Sequence, residues 1–201
     1  MEILLERVEG FADPKLHLEQ YRLPAPAAAE MLWYIGLRHK DLENRIIGDL
    51  GCGTGMLSIG AAFMGADYVV GVDIDQSALM KAKNIADRFR LRGKLDLVRC
   101  RVEDIALEVD VVVQNPPFGV WKREADRAFL KAGITSGHTL YSLHKSGEDV
   151  RRFIRGYAED LGARVDEILP LSIKLPPTYH FHKKKFHKFD IDLYRIVRGR
   201  D

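Results

Sequence analysis

Short, uninterrupted apolar stretches that each run into a turn recur along most of this chain. Ile46 and Ile47 lead to Asp49 and Tyr68–Asp73 repeats the form, while Leu95–Cys100, Asp110–Gln114 and Thr139–Leu143 read as further strands. Continuous rather than alternating apolarity predicts strands covered on both faces, as in a parallel sheet. Between them, helical spacing marks Met56–Phe63, a segment from near Ser77 toward Leu91, Lys122–Ala132 and Gly147–Leu161. The last of these puts Val150, Phe153, Ile154 and Tyr157 on one face. Arg164–Ile173 and Phe189–Val197 close the chain as two strands. In the second, Phe189, Ile191 and Leu193 alternate with Asp190 and Asp192, which predicts an antiparallel strand with one wet face. The expected fold is α/β: a seven-stranded, mostly parallel sheet ending in an antiparallel hairpin.

Ahead of this region, Met1–Glu19 mixes charge with Ile3, Leu4, Leu5, Val8, Phe11, Leu16 and Leu18 and predicts short helices. Gln20–Pro26 must be extended or turned, because each proline removes a donor and biases the preceding residue away from helix. Ala27–Leu37 resumes a helical pattern, with Met31, Leu32, Tyr34 and Ile35 as core contacts. A single domain over residues 1–201 follows, with 1–45 as a helical extension covering a Rossmann-like core at 46–201. The length of 201 residues allows a full core, and 46% hydrophobic with 30% charged residues excludes wholesale disorder. A net charge of +2 selects no partner. Cys52 and Cys100 form no C-x-x-C, so neither a disulfide framework nor a cysteine zinc site is expected. No apolar run reaches the ~18 residues of a membrane span. The expected setting is the cytoplasm.

Asp49-Leu50-Gly51-Cys52-Gly53-Thr54-Gly55 joins the first core strand to the first core helix. Alternating glycines let the backbone approach a ligand where a Cβ would collide, and the helix start presents free N–H groups. A nicotinamide fingerprint, G-x-G-x-x-G, would need glycine where Met56 stands, and Asp49 would repel a pyrophosphate. The acid suits a ligand with an ammonium group instead. S-adenosylmethionine carries one and has no pyrophosphate. Asp73 ends the second strand 22 residues after Gly51, where a nucleoside-binding fold places an acceptor for both ribose hydroxyls. The competing readings are a glycine turn without a ligand, and an Asp73 or Asp75 that only caps the next helix.

Asn115-Pro116-Pro117-Phe118 ends the fourth strand, 66 residues after Asp49. Ligands of an open α/β sheet gather beyond the C-terminal strand ends, so both motifs should face one crevice. The prolines stiffen the turn, while the Asn115 amide oxygen and the Pro116 carbonyl offer two fixed acceptors. Two acceptors suit an exocyclic amino group, whose lone pair is delocalised into its ring and therefore poorly nucleophilic. Accepting both N–H bonds favours a pyramidal nitrogen and stabilises charge that develops only in the transition state. Phe118 can stack on an extruded base. Alone, these four residues read as an ordinary proline turn; beside the glycine motif, they point to methylation of an amine.

This is the architecture of class I methyltransferases. Over nearly its full length the chain resembles the methyltransferase-like protein 5 family, N6-adenine methyltransferases of small-subunit ribosomal RNA, and an archaeal-type member of it. The resemblance is carried by Gln20-Tyr21, Asp49-Leu50-Gly51-Cys52-Gly53, Leu57-Ser58-Ile59-Gly60, Asp73-Ile74-Asp75 and Asn115-Pro116-Pro117-Phe118-Gly119. Two further segments are more particular to the family: Tyr141-Ser142-Leu143-His144-Lys145-Ser146 and Phe181-His182-Lys183-Lys184-Lys185. It implies S-adenosylmethionine contacts from Gln20, Asp49, Gly51, Gly53, Thr54, Asp73, Ile74, Arg101 and Val102. It also implies an adenine held by Asn115, Pro116, Pro117 and Phe118. Two positions depart from the family pattern: Leu23 stands where a threonine is usual, and Arg101 where an acid is frequent. Glu103 or Asp104 are the substitutes for that acid. The eukaryotic relatives resemble obligate partners of a small zinc-binding activator protein that adds to a sheet edge.

His180-Phe181-His182-Lys183-Lys184-Lys185-Phe186-His187-Lys188 holds four lysines and no acid. It reads either as a solvated loop or as a phosphate-contacting segment with aromatic support. The resemblance favours RNA, with Lys183, Lys184, Lys185 and Lys188 as its contacts. No metal site is expected, since the histidines lack cysteine or carboxylate support. His17, His39, His138 and His144 read as surface or satisfied core residues, and Trp33 and Trp121 as packing residues. Two other functions stay open: methylation of a different planar amine (a DNA adenine, a guanine N2 or a protein glutamine amide), and a non-catalytic RNA-binding scaffold.

Overall fold

A computed structural model describes residues 1–117, 125–175 and 187–199. Its strands are β1 (Ile46–Leu50), β2 (Tyr68–Asp73), β3 (Leu95–Arg99), β4 (Val109–Gln114), β5 (Gly137–Lys145), β6 (Ala163–Leu175) and β7 (His187–Arg198). They form one sheet in the order β3-β2-β1-β4-β5-β7-β6. β1 to β5 are parallel, and β7 lies antiparallel to both β5 and β6. The helices are α1 (Glu2–Leu5), α2 (Ala25–Trp33), α3 (Met56–Phe63), α4 (Gln76–Arg88), α5 (Ala125–Ser136) and α6 (Glu148–Asp160). The β3-to-β4 connection carries only a 3-10 turn, Val102–Asp104.

Strand parity sorts the side chains into two cores. Ile47, Val69, Val111, Val113, Tyr141, Leu143, Ile191 and Leu193 pack under α1, α2, α3 and the buried side of α4. Leu50, Val72, Val112, Leu140, Tyr194 and Ile196 pack under α5 and α6 on the opposite face. Leu5 and Val8 are fully buried within the first of these cores, so the N-terminal segment is packed onto it. The hydrophobic effect rewards each such burial by roughly 1.5–3 kcal/mol per large apolar side chain.

Three expectations need correction. Ala25 and Pro26 belong to the first turn of α2, not to the extended segment. A proline there gives up an N–H that has no intrahelical partner. The last turn of that helical region is a π-helix, Tyr34–Arg38. Finally, β7 has no wet face along its middle, because it lies between β5 and β6 with helices on either side. Asp192 is fully buried there and is matched by Arg151 of α6, whose Nε donates at 2.7 Å, and by the Ser146 hydroxyl at 3.1 Å. Trp33, expected as a packing residue, is 42% exposed. Trp121 lies outside the described residues.

Candidate functional site

β1 pairs with β2 on one side and β4 on the other, so the order of strands reverses between β1 and β4. A crevice opens beyond the strand ends at such a point. The turn after β1 and the turn after β4 face each other across a cavity of about 230 Å³. Its wall includes Asp49, Gly51, Gly53, Thr54, Asp73, Ile74, Arg101, Val102, Asn115 and Pro117, with Gln20, Tyr21 and Leu23 from the N-terminal segment. Pro116 is buried behind it. Phe118 and Lys183, Lys184 and Lys185 fall outside the described residues, as does the side chain of Lys188 at the start of β7.

The glycine turn is tight for a visible reason. Gly51, Gly53 and Gly55 have φ of +71°, +54° and +87°, a region that disfavours any Cβ. A Cβ on Gly51 would lie 2.9 Å from Phe129 of α5, and one on Gly53 would lie 2.8 Å from Phe11. The N–H groups, however, are largely turned inward. Gly51 and Cys52 donate to the Val72 carbonyl at 2.8 and 3.0 Å, Gly55 to Cys52, and Gly53 to Asp73. This loop is therefore no nest for a phosphate, in accord with a ligand that lacks one.

Two carboxylates flank the turn. Asp73 Oδ2 accepts the Gly53 N–H and Oδ1 the Asp75 N–H, both at 2.8 Å, and the carboxylate lies on the cavity wall. Burial pushes the Asp73 carboxyl above its ordinary value. The helix-capping role belongs to Asp75, which accepts the Ser77 N–H at the start of α4. Burial opposes charge on Asp75, but Gln20, Lys15 and Ser77 outweigh it and hold the carboxyl well below its usual range. Gln20 is committed in both directions, its Nε2 donating to Asp75 at 2.8 Å and its Oε1 accepting the Lys15 N–H at 2.9 Å. Asp49 is buried and accepts from the Ser58 hydroxyl. Burial raises it to about 7, against the Ser58 hydrogen bonds and with the help of nearby Asp73.

On the acceptor side, Asn115 Oδ1 receives a hydrogen bond from the Tyr21 hydroxyl at 2.6 Å. Burial pushes the Tyr21 phenol far up, a shift only partly offset by that bond, so it keeps its proton. Arg101 sits at the cavity wall beside Glu103 at 3.1 Å and Asp104 at 3.7 Å. Tyr21, Phe11 and Phe129 were not readable from local sequence. The Gln20-Tyr21 pair was a signal that drew attention to Gln20 alone, and the phenylalanines meet the glycine turn only through the fold.

Comparison with known proteins places this geometry. The sequence model of the ribosomal protein L11 methyltransferase (PrmA) family matches residues 32–116, a stretch containing the glycine turn and the start of N-P-P. The chain is 38% identical to the rRNA N(6)-adenosine-methyltransferase METTL5 of Danio rerio, covering 98% of this chain and 97% of that relative. It is 35% identical to the Drosophila melanogaster Mettl5, with 99% and 95% covered.

The chain belongs to the METTL5 family.

Its backbone matches the crystal structure of Pyrococcus horikoshii PH1948 with a TM-score of 0.92, at 36% identity and with 99% and 96% of the two chains covered. The Synechocystis magnesium protoporphyrin IX methyltransferase shares the class I fold at a TM-score of 0.68 and 16% identity, with 98% and 90% covered. S-adenosyl-L-methionine is the cofactor of this METTL5-family methyltransferase, and the cavity fits it. Gly51 and Gly53 line the cavity with backbone alone, and the Asp73 carboxylate beside them suits a vicinal diol. The buried Asp49 carboxyl lies where an ammonium group would restore its charge. Among the described residues, no helix is long and apolar enough to cross a membrane.

Proposed function

We propose that this protein methylates the N6 amino group of an adenosine in RNA, with small-subunit ribosomal RNA as the target. The observation that carries the reading is the sharing of one cavity by Asn115 and the glycine turn, in a chain of the METTL5 family. In this reading residues 1–45 and 46–201 work as one domain, the first covering the cofactor held by the second.

The cofactor, when bound, supplies an electrophilic sulfonium methyl. Asp49 accepts its ammonium group and Asp73 its ribose hydroxyls, while Gly51, Gly53 and Thr54 shape the space between. Ile74, Arg101 and Val102 enclose the nucleobase, and Gln20 braces the wall through Asp75. Asn115 Oδ1 and the Pro116 carbonyl accept the two N–H bonds of the substrate amine, favouring a pyramidal nitrogen as charge develops on it. Pro117 holds the turn, and Phe118 stacks on the base. No general base is required before transfer, because the cationic product nitrogen is strongly acidic. Lys183, Lys184, Lys185 and Lys188 contact RNA phosphates. A small zinc-binding activator protein pairs with a free sheet edge; β3 is such an edge, and Val98 on it is 38% exposed.

Incubation of small-subunit rRNA and of ribosomal protein, each with labelled cofactor, followed by mass spectrometry of nucleosides and peptides, tests the reading. N6-methyladenosine is the expected product, made faster if the activator is supplied. The match of residues 32–116 to the L11 methyltransferase family favours a second reading, methylation of an amine in a ribosomal protein. Label recovered only in protein would replace the first reading by the second.

A further inference from the structure

We propose that Tyr21 is a positioning residue for methyl transfer, its hydroxyl orienting the Asn115 carboxamide. The inference rests on the reading of Asn115 as an acceptor for the substrate amine. A carboxamide has two ends of similar size and opposite hydrogen-bonding sense. With its oxygen toward the amine, Asn115 accepts an N–H. Rotated by half a turn, it would present its own N–H groups to another N–H donor. A hydrogen bond donated to the oxygen end favours the first orientation.

The Tyr21 hydroxyl supplies it. At 2.6 Å from Oδ1 it is a proton donor, and donation is satisfied by the oxygen end of the carboxamide. Burial keeps the phenol protonated, so this donor persists across the physiological pH range. An amide oxygen has two lone pairs, and the second stays available to the substrate. The donor is itself held in place. Its neighbour Gln20 donates to Asp75, and Lys15 Nζ reaches the same carboxylate at 2.6 Å. Asp75 in turn donates its N–H to Asp73. One short N-terminal segment thus fixes the acceptor turn relative to the carboxylate expected to hold the ribose.

Tyr21→Phe tests this, since it removes one oxygen and leaves the ring. On RNA, kcat should fall about tenfold or more, with cofactor Kd essentially unchanged and Tm only slightly lower. In the free protein, the side-chain amide resonances of Asn115, identified by their loss in Asn115→Asp, should shift or split in Tyr21→Phe. A second kinetic arm uses the Asn115→Asp background. A carboxylate has two equivalent oxygens and needs no orienting, so adding Tyr21→Phe there should change kcat by less than about twofold. An unchanged kcat in the single variant overturns the proposal, as do unchanged Asn115 resonances. A wild type that methylates no adenosine refutes the functional reading above, while the resonance measurement still decides on Tyr21.

Discussion

The Asp73 carboxylate holds the Gly53 N–H at 2.8 Å, so the end of β2 fixes the middle of the turn that follows β1. One acid therefore serves both the shape of the glycine turn and the ligand. Asp73→Ala removes the loop anchor together with the acceptors for a diol, and cofactor affinity should fall by on the order of 30-fold or more. Asp73→Asn retains an oxygen for Gly53 and loses one acceptor, so its loss should be several-fold smaller. Calorimetric titration of both variants gives the ranking. Equal losses would mean that the loop anchor contributes nothing and that the lost ligand acceptor carries the whole effect.

Asp49 gives cofactor binding a pH dependence. Buried and raised to about 7, it is largely protonated in the free protein below neutral pH. An incoming ammonium group favours the carboxylate, so binding expels the proton. Affinity should then rise with pH, by up to about tenfold per unit below 7, and level off above it. Titration between pH 5.5 and 8.5 in buffers of different ionisation enthalpy measures the released proton. Asp49→Asn should weaken binding and remove the slope; a slope that survives the substitution assigns it to another group.

Asn115→Ala separates chemistry from binding. It removes an acceptor that matters most as charge develops, so kcat should drop on the order of 10²–10³-fold while cofactor Kd moves little. The variant also removes the Tyr21–Asn115 hydrogen bond, which lowers stability by about 0.5–1.5 kcal/mol. A slightly lower Tm with near-normal cofactor affinity is the expected signature. A large loss of cofactor affinity instead would place Asn115 on the cofactor side of the cavity.

Much of this was legible because the strands obey local rules. The apolar run Tyr68–Asp73 is β2 with the same ends, and the turns on either side of the crevice are marked by glycine and proline, whose backbone effects are local. What could not be read arose from contacts across the fold. Asp192 sits in an alternating pattern that means a wet face only if the strand has one, and its burial is decided by Arg151 from α6. Gln20, a cofactor contact by resemblance, lines the cavity, and its amide also bonds Asp75 and the Lys15 N–H, which no spacing in the sequence announces. Local sequence offers both Asp73 and Asp75 as the helix cap. The coordinates place the capping oxygen on Asp75.

The family-specific Tyr141–Ser146 segment leads to the last prediction. Ser142 and His144 point to the α5 and α6 face of the sheet, where Gln114 Nε2 donates to Ser142 Oγ at 2.9 Å and that hydroxyl lies 2.7 Å from His144 Nε2. The Ser142 hydroxyl thus accepts from Gln114 and shares a hydrogen bond with the His144 ring. Burial holds the imidazole at about 3, well below the ordinary 6.5, although Asp192 pulls the other way. A histidine whose folded value is lowered stabilises the fold above its unfolded value, and that contribution is lost as pH falls from about 6.5 toward 3. Asp49 and Asp126, raised by burial to about 7 and about 6, carry the opposite sign: their contribution is full below about 4 and lost as pH rises through those values. Raw stability therefore mixes the two, and a difference isolates the histidine. His144→Asn keeps a polar side chain and removes the titration. The Tm gap between wild type and variant should be widest near pH 7.5 and close steadily toward pH 4. A gap that stays constant over that range would mean that His144 contributes packing alone.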